Sequence, residues 1–145
     1  MSGSRIMRRG AEGWEGVEPR AYKDIPGGHR GVARHLLAGG GSDGSPFELR
    51  AFRVEAGGFT SRERHAHPHA VVVLEGAGRV RLGVGDEERE AELSMGDALW
   101  IAPWEAHQLR ADADADLAFL CVVPTDRDRP QPVEEGADAA GGGAP

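Results

Sequence analysis

Cysteine is almost missing from this 145-residue chain. Cys121 stands alone, so no internal disulfide can form and an oxidising compartment is not required. Tyrosine is as scarce, with Tyr22 the single copy. No stretch approaches the roughly 18 apolar residues of a membrane-spanning helix, and no apolar segment follows the basic opening MSGSRIMRRG, as a secretory leader would require. Positive charge is outweighed, with 17 Lys and Arg against 24 Asp and Glu, a formal charge of -7. A chain of that balance lacks the cationic face that holds phosphate backbones or anionic lipid. Together these absences give the expectation of a cytoplasmic protein that binds neither nucleic acid nor membrane.

Helical periodicity is also missing. Short β-type runs recur instead, cut by Gly, Pro and Asp clusters, at 31–37, 47–54, 69–76, 78–84, 88–94, 98–102, 107–111 and 117–123. Eight strands at this spacing predict an all-β sandwich or barrel, with tight turns at GAGRV and GVGDEE. The ends are rich in Gly, Pro, Ala and charge with little to bury, so residues 1–13 and 125–145 are expected to be disordered tails around one domain at 14–124.

The chemistry concentrates in RERHAHPHAVVVLEG, residues 62–76. Three imidazoles within five residues would be costly to bury without partners, and a metal ion removes that cost by taking a ring lone pair from each. Alternate residues of a strand face one side, so Glu63, His65, His67 and His69 could all point inward. Pro68 cannot donate to a ladder, which predicts a corner: Glu63 and His65 close one strand, His67 and Pro68 turn, and His69 begins the next. GDALWIAPWEAHQLR, residues 96–110, can deliver a further imidazole, His107.

These residues resemble the cupins. The first cupin motif, G-x5-H-x-H-x3-E-x6-G, is met by Gly57, Glu63, His65, His69 and Gly76, with carboxylate and imidazole exchanged at its first and third ligand positions. Of the second motif, G-x5-P-x-G-x2-H-x3-N, Gly96 and His107 match, whereas Ala102, Trp104 and Ala111 replace the Pro, Gly and Asn. The resemblance implies a double-stranded β-helix, or jelly-roll barrel, and a metal held by Glu63, His65, His69 and His107. A competing register with His65 and His67 as the paired histidines would need a ligand at Val71 or Val72, which neither supplies. His67 is then a residue of the pocket edge, and His67 or Glu63 could serve as a catalytic base.

Three imidazoles and a carboxylate suit one divalent transition metal ion, Fe, Mn, Ni, Cu or Zn alike. Parity assigns Val71, Val73, Trp100, Trp104, Leu109, Phe119 and Cys121 to the substrate pocket, and offers Arg53, Arg79 and Arg81 as clamps for an acidic substrate. Tyr22, far ahead of the motifs, is not expected at the site. The resemblance implies a small-molecule substrate and a dioxygenase-like oxidoreductase, with a non-catalytic binding protein and a metal-assisted isomerase, decarboxylase or lyase as alternatives. It also implies a homodimer paired through the early strands.

Overall fold

A computed structural model describes residues 3–23, 28–40 and 43–136. It is a jelly-roll barrel of nine strands: β1 (Arg30–Ala38), β2 (Phe47–Phe59), β3 (Glu63–Arg64), β4 (His69–Leu82), β5 (Arg89–Ser94), β6 (Ala98–Ile101), β7 (His107–Ala111), β8 (Leu117–Pro124) and β9 (Gln131–Pro132). The only helical element among the described residues is a 3-10 turn at Gly85–Glu87, where GVGDEE predicts a turn. Among the described residues no helix is long and apolar enough to cross a membrane.

Strands run in the order β1-β2-β8-β4-β7-β3-β9, and β4 also carries β5 and β6. Closure depends on two strands that change sheets. The first half of β4 pairs with β6 and β8, through His69↔Ile101 and Val71↔Cys121, and its second half pairs with β5 and β7, through Val80↔Ala91 and Val80↔Leu109. The sequence divides this strand in two at a predicted turn, but the chain only bends there. Gly76 lies at φ 87°, and a Cβ on it would sit 1.7 Å from the Asp116 carbonyl oxygen, so the bend needs a residue without a side chain. In the same way β2 extends past its predicted end at Val54, crosses at Gly57 (φ 76°), and pairs Phe59 with Arg110 of β7.

The barrel is filled in rows set by cross-strand register. One row runs Phe52–Phe119–Val73, the next Arg50–Cys121–Val71, and Val123 of β8 lies inward beside the strand start at His69. Val54, Ile101 and Leu117 are fully buried, and each side chain removed from water stabilises by about 1.5–3 kcal/mol.

Both predicted tails are built into the fold where they are described. Arg5 donates to the Leu37 carbonyl, Arg9 pairs with Glu75, and residues 9–14 lie over His35 and Ala51 on the outer face of β1 and β2. At the other end β9 pairs with β3, and Val133, an isolated apolar residue in a polar stretch, is buried with Val84 and Ala106. The expectations for residues 1–2 and 137–145 lie outside the described residues.

Candidate metal centre and cavity

Each histidine of the centre owes its place to a different strand end. Glu63 and Arg64 form the short β3, residues 65–68 turn the corner at Pro68, and His69 opens β4. His107 opens β7 and sits opposite Glu63 in the ladder. The turn before β7 is held by Trp104, whose φ of 63° is the left-handed conformation that the glycine of the cupin motif would adopt freely. Its amide donates to the His65 carbonyl at 2.7 Å, tying the two ligand-bearing segments together.

His65, His69 and His107 are buried, and each offers a ring nitrogen within 4.8 Å of the others. The His65 Nδ1 donates to the His67 carbonyl at 2.7 Å and the His107 Nδ1 to the Glu105 carbonyl at 2.9 Å. A carbonyl only accepts, so both rings carry their proton on Nδ1 and leave the Nε2 lone pair free, which is how metal-ligating histidines are oriented. The His69 Nδ1 faces the Cys121 Sγ at 3.0 Å, and its Nε2 lies 3.3 Å from the His107 Nε2. Burial, then the neighbouring His107 and His67, lowers His65 to about 4; burial, then His107 and His65, lowers His69 to about 2. Burial lowers His107 as well and raises the Cys121 thiol. Three neutral imidazoles with converging lone pairs fit a divalent transition metal.

Glu63 is not in this cluster among the described residues, which departs from the expected four-ligand set. Its carboxylate accepts from the Ser61 hydroxyl at 2.9 Å and pairs with Lys23 at 3.2 Å, on the cavity wall. His67 is also outside the triad and does not line the cavity, contrary to a role as base. Its ring stacks on His65, centroids 3.7 Å apart at 3°, and its Nδ1 bonds Asp128 at 2.8 Å. Asp128 accepts from the amides of Ala66 (2.7 Å) and His67 (3.0 Å) as well. Although burial opposes it, these amides and the His67 ring hold the Asp128 carboxyl well below the usual range.

Two of the three histidines, His69 and His107, open on a cavity at the barrel mouth lined by both apolar and charged side chains. Val71, Leu109 and Phe119 line it as expected. Val73 is core below the cavity, Trp104 lies off it, and Trp100 points outward at 64% exposure because Ile101, paired with His69, takes the inward position. Cys121 is buried behind His69. Arg53, Arg79 and Arg81 face outward onto carboxylates: Asp116, Glu92 and the pair Glu88 and Glu135.

Sequence reasoning missed seven cavity residues: Tyr22, Lys23, Arg34, Arg50, Phe52, Thr60 and Ser61. Tyr22, expected elsewhere, bonds the Ser61 hydroxyl at 3.0 Å and accepts from its amide at 3.1 Å, and burial followed by the charge of Glu63 raises its phenol. Parity along β2 was the available signal for Arg50, since Phe52 and Val54 on the same face are inward.

Comparisons with known proteins agree with this geometry. The family described as "Cupin domain" matches residues 50–123. The chain is 40% identical over 119 residues, 81% of its length and 72% of the relative's, to a 1-methylthio-D-xylulose 5-phosphate methylsulfurylase of Rhodospirillum rubrum. Among solved structures it is similar to a cupin-2 domain protein of Rhodospirillum rubrum, 36% identical over 93% of this chain and 82% of that one, TM-score 0.74. It is also similar to a polyketide cyclase of Streptomyces resistomycificus, 27% identical over 92% and 90%, TM-score 0.71.

Proposed function

Since the chain belongs to the cupin superfamily, we propose that it is a metal-dependent enzyme acting on a small anionic organic molecule. His65, His69 and His107 would hold the ion, and the reaction class is cleavage or transfer at a carbon beside a carbonyl. The observation that carries this reading is the cluster of three buried imidazoles, two of which, His69 and His107, line a cavity that Arg34, Arg50 and Lys23 also line. A bound divalent ion would polarise the carbonyl oxygen as a Lewis acid. The methylsulfurylase named among the relatives supports a phosphorylated, sulfur-bearing sugar as the first substrate to try.

The protein's own groups supply the rest. Tyr22 donates to Ser61 and Ser61 to Glu63, so the Glu63 carboxylate at the cavity wall ends a directed chain of hydrogen bonds and is placed to take up a proton. Lys23 pairs with that carboxylate at 3.2 Å. Val71, Leu109 and Phe119 exclude water from the inner end. Cys121 acts as a positioning residue, fixing the His69 ring from behind.

A dioxygenase-like oxidation is the second reading, favoured by the donor set, since three imidazoles leave part of an ion's coordination shell facing the cavity. Metal analysis of wild type and His107→Ala, followed by turnover of methylthio sugar phosphates with and without oxygen, tests both. We expect metal loss in the variant and oxygen-independent turnover. Equal metal content in the two proteins overturns the metal reading, and turnover only in oxygen replaces the first chemistry with the second. We further propose a homodimer, to which the outward Trp100, Val72 and Val122 on neighbouring strands would contribute. A monomer in sedimentation at high concentration would reject it.

A further inference from the structure

Seven arginines, Arg9, Arg53, Arg62, Arg79, Arg81, Arg89 and Arg127, each reach a carboxylate within 4.0 Å. Arg34 and Arg50, which line the cavity, do not among the described residues. Arg34 donates from Nη2 to the Ala21 carbonyl at 3.0 Å, and Arg50 makes a long contact from Nη2 to the Cys121 Sγ at 3.4 Å. The Nε of both is buried with no partner among the described residues. The acids close by are already engaged: Glu48 accepts from both terminal nitrogens of Arg127, at 3.1 and 3.2 Å, and Glu63 serves Ser61 and Lys23.

This is an expensive arrangement in a protein with excess acid. A half-buried guanidinium with no carboxylate partner loses part of its hydration without recovering it, and two such groups also repel one another. Burial, then the charges of Arg50 and Arg20, weakens the hold of Arg34 on its proton. The Arg50 guanidinium lies 5.1 Å from the Phe52 ring centroid, a stacking that fixes the plane of its fork without neutralising it. Two guanidinium forks and the Lys23 ammonium lining one cavity match a tetrahedral dianion, which guanidinium groups bind through paired hydrogen bonds.

Resting on the reading above, we propose that Arg34, Arg50 and Lys23 form a phosphate-binding subsite that anchors the phosphoryl end of the substrate while its reacting end faces the three histidines. The subsite makes the substrate a small phosphate monoester that reaches from these cations to the His69 and His107 side of the same cavity.

Inorganic phosphate is the probe, titrated into the full-length metal-loaded protein by calorimetry, with sulfate and acetate as comparison anions. Wild type is expected to bind phosphate saturably and more tightly than acetate. Arg34→Gln and Arg50→Gln should each weaken phosphate at least tenfold, Lys23→Gln by less, and Arg50→Lys should fall between Arg50→Gln and wild type. Arg34 touches none of the three histidines, so Arg34→Gln should keep full metal content, which also reports that it is folded. His107→Ala should retain phosphate affinity within threefold, which separates this subsite from phosphate bound to the metal itself. Absence of saturable binding to wild type, unchanged affinity in Arg34→Gln, or loss of phosphate binding in His107→Ala would each overturn the proposal. Failure of the metal reading would appear separately, as equal metal content in wild type and His107→Ala.

Discussion

Replacing Asp128 by Ala perturbs the centre without touching it. One carboxylate accepts from the Ala66 amide at 2.7 Å, the His67 amide at 3.0 Å and the His67 ring at 2.8 Å, so the variant leaves three donors in the ligand loop without their acceptor. Hydrogen bonds to a charged acceptor are worth more than neutral ones, but the Asp128 side chain is 33% exposed and water can enter to replace part of what is lost. We therefore expect a loss of about 2 kcal/mol in unfolding free energy, read from urea denaturation of the metal-free protein. Metal should respond too: His67 freed from Asp128 no longer fixes the plane against which His65 stacks, and loss of such outer partners weakens metal binding by about 10- to 100-fold. The sign with pH follows from the depressed carboxyl. Its stabilisation is complete above the ordinary carboxylate range and fades as the pH falls toward the lower folded value, so wild type and variant should converge in acid. Equal stability and metal affinity at neutral pH would refute the claim that the C-terminal segment holds the ligand loop.

Three other outcomes follow. Glu63→Gln should keep its full metal content, because the carboxylate lies outside the triad, while kcat falls by about 10²- to 10⁴-fold for want of a base; loss of metal would restore Glu63 as a ligand. The metal-free protein should lose stability as the pH falls from about 6.5 toward 4, since the unfolded chain protonates histidines that the fold keeps neutral, by up to about 1.4 kcal/mol per pH unit for each, and a flat profile in denaturant titrations would contradict the burial argument. Gly76→Ala should cost several kcal/mol or abolish folding, because both the positive φ and the Asp116 carbonyl oppose a methyl there; a thermal midpoint within a few degrees of wild type would show that β4 does not need this bend.

The strands were legible because alternation and Gly or Pro punctuation act locally: six predicted runs coincide with single strands to within about two residues at most ends, β2 reaching further at its C-terminal end, and the runs 69–76 and 78–84 are the two halves of β4. What was not legible depends on partners far along the chain. Whether β4 turns or bends at Gly76 is decided by the backbone of Asp116, forty residues on. The ordering of the C-terminal stretch depends on Val133 finding Val84 and Ala106, and on Asp128 finding the amides of 66 and 67. Within the site, spacing named His65, His69 and His107, which the fold brings together, and also His67, which it turns onto Asp128. Glu63 stands outside the histidine cluster, because motif spacing places a residue at the site without saying what competes for its carboxylate. Ser61 and Lys23 are those competitors.

The arginines show the same limit from the other side. Arg50 and Arg53 are three apart on β2, so a strand sends them to opposite faces. The outward one meets Asp116 from the loop before β8, and composition alone would equally allow it to clamp a ligand. The inward one stands in register with Cys121, whose sulfur contacts His69, so substrate-facing charge and ligand orientation share one row of the barrel. That adjacency has a physical consequence for the triad. A cation beside His69 opposes its protonation, and Arg50 is among the charges that hold this imidazole neutral and able to bind metal. Arg50 thus couples the two ends of the cavity. Its removal should weaken anion binding directly and raise the pH at which His69 releases metal, whereas removal of Arg34 should do only the first.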